Sequence, residues 1–107
     1  MKKNTAIISL DLSMNNLAHG LDSLVEGLRH NSTIVSLRLK NNNIDGRKSM
    51  DALFNLVYNH RSLASIDFGN FDTIKNRNRI HNEGLTAIVE GIIRTVEDQG
   101  SCLISEI

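Results

Sequence analysis

A chain of 107 residues fits one domain, and a hydrophobic content of 40% excludes wholesale disorder. Twelve basic and twelve acidic residues cancel, which argues against a general nucleic-acid binder or a membrane-surface protein, since both need a basic excess. The single cysteine, Cys102, excludes an internal disulfide and a multi-cysteine metal site, and no apolar run is long enough for a transmembrane helix.

The chain opens on Met1-Lys2-Lys3, but Asp11 follows only a short apolar stretch, so no Sec signal peptide is expected. Ile7, Leu10, Leu12 and Leu17 fall at relative positions one, four, six and eleven, with Asn15 at nine. Their alternation predicts a short strand, and Leu21, Leu24, Val25 and Leu28 then line one face of a helix. The same classes return in the same spacing at Ile34, Leu37, Leu39, Asn42 and Ile44, followed by a helix through Met50, Leu53, Phe54 and Val57. A third start comes at Leu63, with Ile66 and Phe68 in register and a helix through Leu85, Ile88, Val89, Ile92 and Val96. The repeats run over about 5–32, 33–61, 62–100 and a partial 101–107, all in one domain.

This LxxLxLxxNxL pattern, with a period of 27 to 29 and a helical second half, resembles leucine-rich repeats, in particular the ribonuclease-inhibitor-like class. The resemblance implies an α/β fold: a short right-handed solenoid with parallel strands on the concave side and helices on the convex side. It also implies a non-catalytic module that binds a protein partner through the concave face and adjacent loops. Asn15 and Asn42 are expected to turn their amides into the loops and satisfy backbone groups of neighbouring repeats.

Two places depart from the pattern. In the third repeat, Phe71 stands in register with Asn42, with Asn70 one residue early, and the connection over 72–82 is about ten residues longer than its counterparts. Lys75, Arg77 and Arg79 make that loop basic, which suits an acidic partner surface or simply keeps the loop solvated. At the last strand, Ser105 can continue the column Ser9, Ser36, Ser65, which turns Glu106 inward. A one-residue shift instead puts Ile104 and Ile107 at positions one and four. The shifted register is preferred, because an inward glutamate would be costly in a thin core. The chain is expected to stop inside this strand without a polar cap, so a self-assembling unit pairing through its terminal edges, or a fragment of a longer solenoid, is the alternative reading.

On the concave face the spacing places Ser9, Asp11 and Ser13, then Ser36, Arg38 and Lys40, then Ser65, Asp67 and Gly69. Asp11, Arg38 and Asp67 should stand side by side with alternating sign. Nothing aromatic is expected on this strip. The candidate partner-binding residues are therefore Asp11, Arg38, Lys40 and Asp67, with Lys75, Arg77 and Arg79 as a second patch. No catalytic residue, metal ligand or cofactor is expected: no HExxH, CxxC or phosphate-loop spacing occurs, and Cys102 has no histidine near it in sequence. His30 and His60 end helices, where a protonated imidazole suits the helix dipole, and Gly20, Gly46 and Gly84 are expected just before helices. The proline-free, asparagine-rich composition fits an AT-rich genome, and by analogy an effector of an intracellular microbe. The expected location is cytoplasmic, or inside a host cell.

Overall fold

The computed structural model describes residues 8–60 and 62–107; the expected strand start at Ile7 and the Met1-Lys2-Lys3 leader lie outside the described residues. Three short strands alternate with three helices: β1 (Ser9–Asp11), α1 (Leu21–Leu28), β2 (Ser36–Arg38), α2 (Met50–Asn59), β3 (Ser65–Asp67) and α3 (His81–Gln99). The strands form one parallel sheet in the order β1-β2-β3, with Leu10 opposite Leu37 and Leu37 opposite Ile66. Parallel neighbours joined through a helix are what the alternating periodicity demands. Among the described residues, no helix is long and apolar enough to cross a membrane.

The core lies between sheet and helices. Leu37, Leu39, Ile44, Leu53, Leu56 and Ile66 are all at most 1% exposed. The second repeat is the best buried because it has a neighbour on each side, whereas Leu10, Leu12 and Leu17 of the first are only partly buried.

The C-terminal segment takes the shifted register. Ser65 pairs with Glu106, the Ile66 amide donates to the Glu106 carbonyl at 3.0 Å, and Ile104 packs on the core. Glu106 thus follows the serine column outward into solvent, and Ser105 leaves it.

Two expectations are corrected. The first concerns close packing. Gly84 lies inside α3, not before it, and Gly46 and Gly84 face each other where α3 crosses the preceding turn. A Cβ on Gly46 would overlap the Ile80 carbonyl. Their role is contact between backbones, not freedom at a turn. Gly91 does the same against Phe54 and Val57 of α2. Tyr58 stacks on Phe54 with ring centroids 5.5 Å apart and donates its hydroxyl to Asp98, which ties α2 to α3.

His60 is the second correction. At the end of α2 its imidazole serves as a hydrogen-bond acceptor rather than as a cation. Its Nδ1 accepts from the amides of Ser62 and Leu63, both at 3.3 Å, so that nitrogen is unprotonated. Burial lowers its pKa below the ordinary 6.5. Asn31, its counterpart in the repeat before, does the same work: its Oδ1 accepts from Thr33 and Ile34. Both side chains cap the turn that leads into the next strand.

Candidate protein-binding face

The loops on one edge of the sheet are held by a ladder of asparagines. Asn42 is fully buried; its Oδ1 accepts from the amides of Asn15 and Leu17, and its Nδ2 donates to the Leu12 and Lys40 carbonyls. Asn15 has no earlier repeat to serve among the described residues, so its side chain donates only within its own turn, to Leu12 and Ser13, and stays exposed.

The third repeat keeps the ladder, at a position the fixed period misses. Asn78 is buried, its Oδ1 accepts from Asn42 and Ile44, and its Nδ2 donates to Leu39 and Phe68. It repeats the duties of Asn42 one level along. Asn42 follows Leu39 by three positions and Asn78 follows Phe68 by ten, so the insertion sits before the asparagine and not after it. Phe71 and Asn70 are part of the insertion. The signal was present in sequence, since Asn78-Arg79-Ile80 repeats the form of Asn42-Asn43-Ile44.

The inserted loop is built rather than loose. Asn70 and Asn78 close its base: Asn78 donates its backbone amide to Asn70 Oδ1, and Asn70 Nδ2 donates to the Asn78 carbonyl. Asn41, 0% exposed and at φ 51°, clamps it from the β2 side, accepting from the Phe71 amide and donating to the Lys75 carbonyl. Asparagine tolerates this left-handed backbone better than most residues. Arg77 donates its guanidinium to the carbonyls of Phe71 and Thr73, so it braces the loop. Ile74 stands at the tip, 93% exposed.

The strip itself has the expected register: Asp11 lies opposite Arg38, and Arg38 opposite Asp67. The ion pair formed on it is diagonal, however, between Lys40 and Asp67 at 3.7 Å. The Ser13 amide and hydroxyl donate to Asp11 and, with Arg38 and Lys40 nearby, hold its carboxyl below the ordinary range. No strip position is aromatic, but the inserted loop brings an aromatic ring to the strip's edge. Phe71 lies beneath the Lys40 ammonium, 4.8 Å from ring centroid to Nζ, and remains half exposed. Lys40, Asp67 and Phe71 are therefore brought together, with Lys75 held close by Asn41. Arg79 is placed further along the edge, opposite Asp45.

Charge is separated across the molecule despite the zero total. Segments 40–48 and 72–81 hold six basic and two acidic residues, whereas the three helices hold seven acidic and one basic. The segments are neighbours, joined by Asn43 to Asn76 and by Gly46 to Arg79. The loop edge is consequently basic and the helical side acidic.

A sheet of parallel strands each followed by a helix, tied at the loops by buried asparagines, is the architecture of a leucine-rich-repeat-like solenoid. The chain is similar in structure to the tropomodulin C-terminal domain of Caenorhabditis elegans, with a TM-score of 0.66 and 19% sequence identity. The match covers 98% of this chain and 56% of that one, so the chain spans just over half the length of that domain. No family model matches the sequence. No curated protein matches it either.

Proposed function

We propose that this chain is a non-catalytic protein-binding module of the ribonuclease-inhibitor-like class of leucine-rich repeats. Its site is the concave strip Asp11, Arg38, Lys40 and Asp67 together with the inserted loop carrying Lys75, Arg77 and Arg79. The observation that carries this reading is the clamp at Asn41, which holds Phe71 against Lys40 and beside Asp67. An aromatic, an exposed isoleucine and several cations on a fixed loop make a better anchor than a polar strip alone. The partner this surface suits is an acidic segment with apolar residues: its carboxylates meet Arg38, Lys75 and Arg79, and its apolar groups meet Phe71 and Ile74. Arg77 contributes by bracing the loop. A cytoplasmic or host-cell location is part of the same proposal and rests on composition.

Selection of a random peptide library on the immobilised chain tests the reading. Enriched peptides should combine aspartate or glutamate with apolar residues, and the Arg38→Glu/Lys40→Glu double variant should bind them at least ~10-fold more weakly, in line with the loss of close interfacial charge pairs. Enrichment of neutral or basic peptides, or binding untouched by the double variant, would place the site elsewhere.

A further inference from the structure

The helix α3 has 19 residues where α1 and α2 have 8 and 10, and it carries two different faces. Gly84, Ala87, Gly91 and Thr95 are buried on one side, with Gly84 against the turn at Gly46 and Gly91 against α2. The opposite side presents Leu85, Val89, Ile93 and Val96, which are between 44% and 52% exposed. On a helix these four residues form one stripe, and Glu83, Glu90, Arg94 and Glu97 fall outside it. Ile107, half exposed, continues the column of Leu37 and Ile66 on the same side of the sheet as α3.

We infer that this face of α3 is covered by the same face of a second copy, in a two-fold dimer. Three observations select that occupant. First, the area fits. The five residues, between 44% and 52% exposed, leave roughly 400 Å2 of mostly apolar surface, which approaches the apolar share of one side of a standard-size interface, about 57% of about 800 Å2. Second, the outer side of α1 does not match it. On α1, Leu21, Val25 and Leu28 are buried, Leu24 is partly buried and the groove toward α2 is lined by Asp22, Glu26 and Arg29, which leaves Ser23 and Gly27 as the exposed residues of the remaining side. Head-to-tail stacking would set the apolar stripe against a helix whose exposed residues, Ser23 and Gly27, are small, whereas a two-fold axis pairs the apolar stripe with itself. Third, the stripe is close to palindromic. Leu85 and Val96 are equidistant from the midpoint between Glu90 and Gly91, and Val89 and Ile93 lie on either side of it, one position out of exact symmetry. Crossed antiparallel, each copy's Leu85 meets the other's Val96 with no charge in the seam.

Light scattering across a dilution series from micromolar to millimolar, under reducing conditions, tests the dimer. The chain should pass from monomer to twice the monomer mass and go no further. The Val89→Glu/Ile93→Glu variant should stay monomeric with an unchanged circular-dichroism spectrum, because both residues are exposed in the monomer. Leu85→Lys, one turn away, repeats the test should the double variant lose helix signal. Arg38→Glu/Lys40→Glu should dimerise like the parent. A parent that stays monomeric, a stripe variant that still dimerises, or a mass that climbs without limit would each overturn the inference.

Discussion

Asn42 and Asn78 show what a single side chain does in this fold. Each is a buried amide whose oxygen satisfies two backbone N–H groups of the previous repeat and whose nitrogen donates to two carbonyls in Asn42 and three in Asn78. Removing one leaves buried donors and acceptors unpaired, which costs far more than the net worth of the bonds. Asn78→Ala should therefore lower stability by about 2–4 kcal/mol in urea unfolding. Asn15→Ala, where the amide is exposed and serves only its own turn, should cost under about 1 kcal/mol. Asn15 and Asn42 were legible from sequence because a fixed repeat offset finds them. Asn78 was not, because an insertion before it breaks the count while the local form Asn-x-Ile survives. His60 departs from its expected role for a related reason. A histidine beside a helix end suggests a cation, but the fold needs an acceptor there, as Asn31 supplies in the repeat before. Burial holds the imidazole's pKa below the ordinary 6.5, and its Nε2 has no partner among the described residues. The unfolded chain therefore takes up this proton first. Stability contributed by His60 should be constant above pH ~6.5 and fall as pH drops from there toward the folded-state pKa. His60→Asn should keep the turn, through the bonds Asn31 makes, and abolish this part of the acid dependence; an unchanged pH–stability profile would contradict that assignment.

At the level of elements, strands and helices were readable from periodicity, since their apolar spacings switch cleanly between two and 3.6. Where α3 sits was not, because spacing says nothing of how closely two backbones approach. Gly46 and Gly84 set that distance. Gly84→Ala would place a methyl 2.8 Å from Gly46 Cα and from the Ile80 side chain, and should destabilise by about 1–3 kcal/mol. Gly27 is the internal control. It lies within α1, where an added methyl would meet nothing within 4 Å, so Gly27→Ala should stabilise the chain by about 0.5–1 kcal/mol through helix propensity. Thermal melts of the two variants should move in opposite directions. The inserted loop is likewise an element with its own staples. Asn41→Ala removes the bonds to Phe71 and Lys75, and hydrogen exchange in 71–77 should quicken while the amides of β2 keep their protection.

For the whole molecule, the sum of charges was misleading and their placement is informative. A zero total argues against nucleic acid only when the charges are mixed, and here the cations gather on the loop edge while the carboxylates gather on the helices. The residues were all visible in sequence, but only the fold joins segments 40–48 and 72–81. The candidate site was legible in the same partial way. The strip residues Asp11, Arg38 and Asp67 follow from alternation and register, whereas Phe71 reaches Lys40 only because Asn41 and the Asn70–Asn78 pair close the insertion. Binding of an acidic segment to such an edge should weaken with rising salt, since exposed charges a Debye length apart are screened.

The proposed binding face stands or falls on where a partner touches. An amide-resolved NMR titration of the chain with a library-selected acidic peptide measures that. Shifts should be confined to Asp11–Ser13, Arg38–Asn41 and the stretch from Asp67 to Arg79, with α3 from Leu85 to Val96 unmoved. Shifts that cluster on α3, or no shifts in the strip and loop at saturating peptide, would contradict this assignment.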